Sequence, residues 1–177
     1  MSAVFYISAA VAVIATAMVI TGRNPVHALL YMVVSLLAVA VIFYTLGAPF
    51  VAALEVIVYA GAIVVLFLFG VMVLNLGPQS AEAEGQLLRA SMWPGPAALA
   101  AVLLAEVLCI LWAKGDGGRA GAETVSPQQV GAALFGPYVI AVELASLLLL
   151  AGLVGAYHLG RHLHVTSMED ADGDGAD

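Results

Sequence analysis

Glu55 and Tyr59 lie four residues apart in a run that is otherwise apolar from Pro49 to Leu74. An ionisable side chain at the centre of a membrane span costs roughly 2.5 to 3.5 kcal/mol on insertion scales, so a carboxylate and a phenol placed together in such a run call for a polar purpose. At a helical advance of about 100° per residue the two groups share one face, which Ala62 and Leu66 continue. Such a pair can share water or a proton. Two further glutamates have the same character: Glu106, among Leu104, Val107, Leu108 and Cys109, and Glu143, with Ser146 one turn on. A buried carboxyl can equally be hydrogen-bonded to a neighbouring helix and hold a bundle together without carrying anything. Glu106, with no polar residue three or four positions away, reads as that structural acid; Glu143 is open between the two uses, and Glu55 favours function.

The elements that position these groups follow from composition. Of 177 residues, 63% are hydrophobic and 10% charged, so the chain cannot cover itself with a polar surface and reads as an integral membrane protein. The net charge of -7 is not spread along it, because Glu169, Asp170, Asp172, Asp174 and Asp177 all fall in the last nine residues. Residues 1–164 are expected to form the transmembrane domain and 165–177 a solvated, disordered acidic tail.

About 20 apolar residues cross a 30 Å hydrocarbon core. Five runs qualify: 3–21, 27–46, 50–76, 95–113 and 138–160. Glycine and proline punctuate the connectors at Gly22-Arg23-Asn24-Pro25, Gly47-Ala48-Pro49, Gly77-Pro78, Trp93-Pro94-Gly95-Pro96 and Gly136-Pro137. The expected fold is an all-α bundle of five transmembrane helices. The first run lacks a basic leader and is read as a retained helix. Arg23, Arg89 and Arg161 fall on one side, Lys114 and Arg119 on the other. The first hairpin weighs most, which favours an outside amino terminus and a cytoplasmic carboxyl terminus. In that topology all three glutamates occupy the outer halves of their helices.

Ala60-Gly61-Ala62 removes bulk from the third helix, either for close packing, as along Ser8, Ala12 and Thr16 or Ala141 and Ala145, or for a π-bulge, in which one extra residue re-aims all that follows by about 100°. Cys109 is the sole cysteine, which leaves no disulfide, iron-sulfur or zinc set. His158, His162 and His164 read as interfacial groups rather than metal ligands. Gly115-Asp116-Gly117-Gly118-Arg119-Ala120-Gly121 has no strand before it and no helix context for a phosphate loop. No nucleic-acid partner is indicated, and lipid is the surrounding medium.

Three runs carry a resemblance: Asn24-Pro25-Val26-His27-Ala28-Leu29-Leu30-Tyr31; Ala53-Leu54-Glu55 through Leu74-Asn75-Leu76-Gly77; and Leu134-Phe135-Gly136-Pro137-Tyr138-Val139 through Glu143-Leu144-Ala145-Ser146 with Ala151-Gly152-Leu153. Together, over about residues 4–160, they resemble the subunit J family of bacterial NADH-quinone oxidoreductase, respiratory complex I, whose mitochondrial counterpart is subunit 6. The linker 115–121 and the acidic tail match no pattern of that family.

The resemblance implies a non-redox, five-helix membrane-arm subunit in the bacterial inner membrane, beside subunits A, H, K and N. It implies a π-bulge hinge at Tyr59, Ala60, Gly61 and Val65, whose rotation opens or closes a water path between the quinone region and subunit K and so couples quinone reduction to proton translocation. Glu55, Tyr59 and Glu143 are then the candidate polar relay, with no catalytic centre in this chain. NADH, FMN, the iron-sulfur clusters and quinone belong to other subunits. Two alternatives keep the membrane fold: the same subunit in a ferredoxin- or deazaflavin-linked relative, or a stand-alone oligomeric transporter.

Overall fold

The computed structural model describes residues 2–22, 24–74, 93–113 and 124–173. Its elements are α1 (Ser2–Thr21), α2 (Pro25–Thr45), α3 (Pro49–Leu54), a π-helical segment (Glu55–Ile63), α4 (Val64–Leu74), α5 (Pro94–Ala113), α6 (Pro127–Phe135) and α7 (Val139–Gly173). No strand occurs among the described residues. Among the described residues five stretches are long and apolar enough to cross a membrane: Ala3–Thr21, Pro25–Thr45, Pro49–Val73, Pro94–Trp112 and Val139–Gly160. They fall within three residues of the boundaries expected from sequence. Residues 75–76 of the expected third span, Arg23, Arg89, the 115–121 linker and the end of the acidic tail lie outside the described residues.

The chain divides into two compact units, Met1–Ser126 and Pro127–Asp177. In the first, α1 and α2 form a hairpin whose turn is written in local chemistry. Asn24 caps α2 by accepting from the Val26 and His27 backbone N–H groups at 3.0 and 3.3 Å, and Pro25 occupies the first helical position, where its missing N–H is not needed. At the other end Gly47 takes a left-handed conformation, φ 85°, while the Ala48 N–H donates to the Phe43 carbonyl at 3.0 Å and the Gly47 N–H to the Tyr44 carbonyl at 3.2 Å. This is a Schellman termination, which needs a residue without Cβ at Gly47. Pro49 then opens α3 directly.

The core lies between α1, α2 and α5. It is built from Val11 and Ala15 of α1, Tyr31, Val34 and Ala38 of α2, and Leu103 of α5, with Leu99 packed against them. On α2 the inward positions 31, 34, 35 and 38 keep helical spacing. Small side chains set the contact distance: Ser8, Ala15 and Ala38 are fully enclosed, so the backbones approach closely and van der Waals packing supplies the attraction that hydrophobic burial cannot supply in lipid. Thr16 and Ser35 hydroxyls pair across the hairpin at 2.8 Å, and the Ser35 hydroxyl also reaches the Ala12 carbonyl at 3.2 Å. Each such bond contributes on the order of 0.6 kcal/mol in a membrane.

The third span packs on α2 along α3, the π segment and α4. A further tie comes from the chain after α5: the Val125 N–H donates to the Gly47 carbonyl at 2.9 Å, joining the connector before α6 to the turn that starts the third span. The two connectors are therefore on the same side, as the alternation of spans requires. In the second unit α6 is a short helix not foreseen from sequence, followed by a turn in which the Tyr138 N–H donates to the Ala133 carbonyl at 3.1 Å. The helical backbone of α7 continues to Gly173, past the apolar span ending at Gly160.

Candidate functional site

The third span changes hydrogen-bond register along its length. At Glu55 the backbone N–H still donates to Val51 and Ala52, four and three residues back. By Val64 the N–H donates to the Tyr59 carbonyl, five residues back. An extra residue has entered the turn, and the π register extends over nine residues, Glu55–Ile63. It is thus longer than a single-turn bulge and takes in Glu55 as well as Tyr59, Ala60 and Gly61. Val65 lies just past it, on α4.

Gly61 shows why this segment accepts the wider turn. A Cβ built there would lie 3.1 Å from the Val56 carbonyl oxygen, five residues back and the acceptor of the π register. Any side chain at Gly61 therefore presses on the backbone group that the π register uses. The neighbours Ala60 and Ala62 add little bulk on either side, whereas β-branched Val56, Ile57, Val58 and Ile63 stiffen the flanks.

Glu55 is half-buried and Tyr59 is 50% exposed on this segment. Among the described residues neither side chain has a hydrogen-bond partner. Glu55 stands six residues into the span, about 9 Å from its start, and Tyr59 about 6 Å deeper. The same span exposes Val65, Leu66, Phe67 and Phe69, so its outward surface below Tyr59 is wholly apolar. A polar pair facing outward at membrane depth cannot be satisfied by lipid; it needs water or polar groups from another chain.

The other two glutamates stand apart from this pair. Glu106 is 6% exposed within the packing of α5, and its Oε2 accepts from the Ser8 hydroxyl of α1 at 2.7 Å, while its Oε1 is enclosed with no partner. The step of Ser8, Ala12 and Thr16 marks that face of α1 in the sequence, but nothing local indicates a partner 98 residues away. Glu143, in the second unit, is exposed on α7, and its backbone carbonyl accepts from the Ser146 hydroxyl at 2.7 Å. Of the three histidines near the end of α7, His158 is exposed, and the side chains of His162 and His164 lie outside the described residues. Among the described residues no group of three His, Cys, Asp or Glu could hold a metal ion.

Comparison with known proteins accords with this architecture. The chain is 59% identical to NADH-quinone oxidoreductase subunit J of Pseudomonas aeruginosa over 157 residues, covering 89% of this chain and 95% of that protein. It is 55% identical to the protein of the same name from Escherichia coli strain K12, covering 89% and 85%. A Rhodobacter capsulatus protein, also named NADH-quinone oxidoreductase subunit J, is 38% identical over 160 residues. Residues 15–159 match the family model described as NADH-ubiquinone/plastoquinone oxidoreductase chain 6. With a match across most of its length, and five apolar helices of which the third carries a π segment, this chain belongs to the NADH-ubiquinone/plastoquinone oxidoreductase chain 6 family.

Proposed function

We propose that the chain is a membrane-arm subunit of a proton-translocating NADH-quinone oxidoreductase in the bacterial inner membrane, and that its third span gates a water path by changing hydrogen-bond register. The observation that carries this reading is the nine-residue π segment, which begins at Glu55 and contains Tyr59 and Gly61. Returning the segment to the α register removes one residue from the turn and re-aims the side chains beyond it by about 100°. That rotation replaces the surface formed by Leu66 and Phe69, which cannot hold water unaided.

In this reading Glu55 is a polar, proton-exchanging group beside the path, Tyr59 a hydrogen-bond anchor, and Tyr59, Ala60, Gly61 and Val65 the hinge. Glu143 offers a second polar position on α7. The chain supplies no redox centre: NADH, FMN, the iron-sulfur clusters and quinone are held by other subunits, with A, H, K and N as the membrane-arm neighbours that satisfy Glu55 and Tyr59. The amino terminus is outside and the carboxyl terminus cytoplasmic.

The test is imaging of the complete complex at rest and under NADH turnover. Gating requires the third span in two registers whose proportions change with turnover. A single register in both conditions overturns it. Co-purification separates this reading from a stand-alone transporter, which is isolated without other subunits, and the peripheral proteins recovered identify the electron donor.

A further inference from the structure

We propose that α6 is an interfacial foot: it lies along the membrane surface at the entrance to the α7 span, with Leu134 and Phe135 set into the headgroup–acyl boundary of the bilayer. Both of its ends are held at one level. Two residues before α6 the Val125 N–H donates to the Gly47 carbonyl at 2.9 Å, and Gly47 stands in the turn between the second and third spans. That turn is at a membrane surface, and the alternation of spans puts Val139, where the fifth begins, at the same surface. Standing upright, a nine-residue helix would carry its far end about 14 Å away from that surface. The three residues from Gly136 to Tyr138 do not bridge such a gap, because they are folded back. The Tyr138 N–H donates to the Ala133 carbonyl at 3.1 Å and the Val139 N–H to the Gly136 carbonyl at 3.2 Å. A Cβ at Gly136 would stand 2.6 Å from the Ala132 carbonyl oxygen, so this turn takes glycine. Held at both ends, α6 lies flat.

Its side chains divide between two media. At about 100° per residue Val130 and Leu134 fall one turn apart on one side, while Ala132 lies about 160° round from Leu134, with Gln128 and Gln129 flanking it. Leu134 is exposed, and at the end nearest the span Phe135 and Tyr138 are 77% and 61% exposed. Amphipathic rings such as tyrosine and tryptophan are favoured at headgroup depth, and exposed Trp112, the last residue of the fourth span, marks the same surface. Continuity decides what covers Leu134 and Phe135: Tyr138 adjoins the first residue of a lipid-length span, so the apolar surface runs directly into the hydrocarbon-crossing part of α7. No residue from Val125 to Val142 is charged. Neither an ion pair to another subunit nor attraction to anionic headgroups is built in, and the face suits zwitterionic lipid. The inference holds whether or not the third span gates proton movement.

Photocapture on the intact complex, reconstituted in phosphatidylcholine nanodiscs, tests it. A benzophenone side chain is placed in turn at Leu134, Phe135 and Ala132, and mass spectrometry of the adducts separates phospholipid from protein. Phosphatidylcholine should be captured at Leu134 and Phe135, several-fold above the yield at Ala132. Capture of another subunit at Phe135 in place of lipid, no lipid adduct there, or equal lipid capture at Leu134 and Ala132 would each overturn the proposal. If the probe at Leu134 prevents assembly, the adduct at Phe135 alone decides.

Discussion

Gly61 offers the sharpest test of the register change. In the π register a methyl group at this position stands 3.1 Å from the Val56 carbonyl oxygen, so the backbone has to yield by a few tenths of an ångström. Accommodating that by about 7° in one bond angle costs on the order of 1 kcal/mol, and in the α register the Gly61 N–H turns to the carbonyl four residues back and the clash is relieved. Gly61→Ala should therefore shift the balance toward the straight helix by about fivefold. Gly61→Val adds two further carbons and a stiff χ1, and overpacking of this kind costs about 1–3 kcal/mol, which corresponds to about 5- to 150-fold. Lost activity alone does not separate a held register from a neighbouring helix wedged aside. The assay is therefore particle classification of the assembled complex at rest and in turnover, alongside pumping. Alanine and valine variants should show a graded loss of the π class in the same order as their loss of pumping. If the assembled Gly61→Val complex still interconverts between straight and π forms in wild-type proportions, Gly61 is not the switch.

Glu55→Gln keeps the shape of the side chain and removes its capacity to exchange a proton, so the complex should assemble and its pumping or coupled rate should fall; wild-type pumping in the assembled variant would make Glu55 a structural acid. Cysteines introduced at Gly117 and at Asp177 test sidedness: an impermeant thiol reagent should label the first from outside and not the second, and the reverse result would invert the topology. Gly95→Ala drives a methyl group into the hydroxyl of Tyr31, itself 8% exposed, and should weaken the α2–α5 packing by about 1–3 kcal/mol. Tyr31→Phe removes the obstructing oxygen, so the double variant should recover much of the heat stability of the complex, and no recovery would place the strain elsewhere.

The spans were legible because each is a long charge-free run closed by glycine or proline, a signal that does not depend on neighbours. The polar pair was legible for the same reason: a carboxylate stands out in a lipid-soluble helix. What escaped was whatever depends on distant partners. Glu106 reads as isolated along α5 because its donor, Ser8, arrives from a helix 98 residues earlier. The extent of the π register also lies beyond a local reading. Gly61 marks where a wider turn is tolerated, but its spread back to Glu55 depends on how successive carbonyls are shared. Helix α6 was passed over because nine residues fall far short of a span, although Ser126-Pro127 is an ordinary helix start.

The tie between Val125 and Gly47 bears on the kind of movement the third span can make. Its first end is fixed twice, by the Schellman turn that closes α2 and by this strap, so a change of register of the kind proposed would deliver its displacement toward Val64–Leu74. Taking a residue into or out of a turn alters length as well as angle, by roughly the 1.5 Å rise of one residue. If the span gates as proposed, its far half would therefore advance as a screw. A neighbouring helix lying against α4 meets both a new face and a shift along the axis, and an interface there has to tolerate sliding as well as rotation.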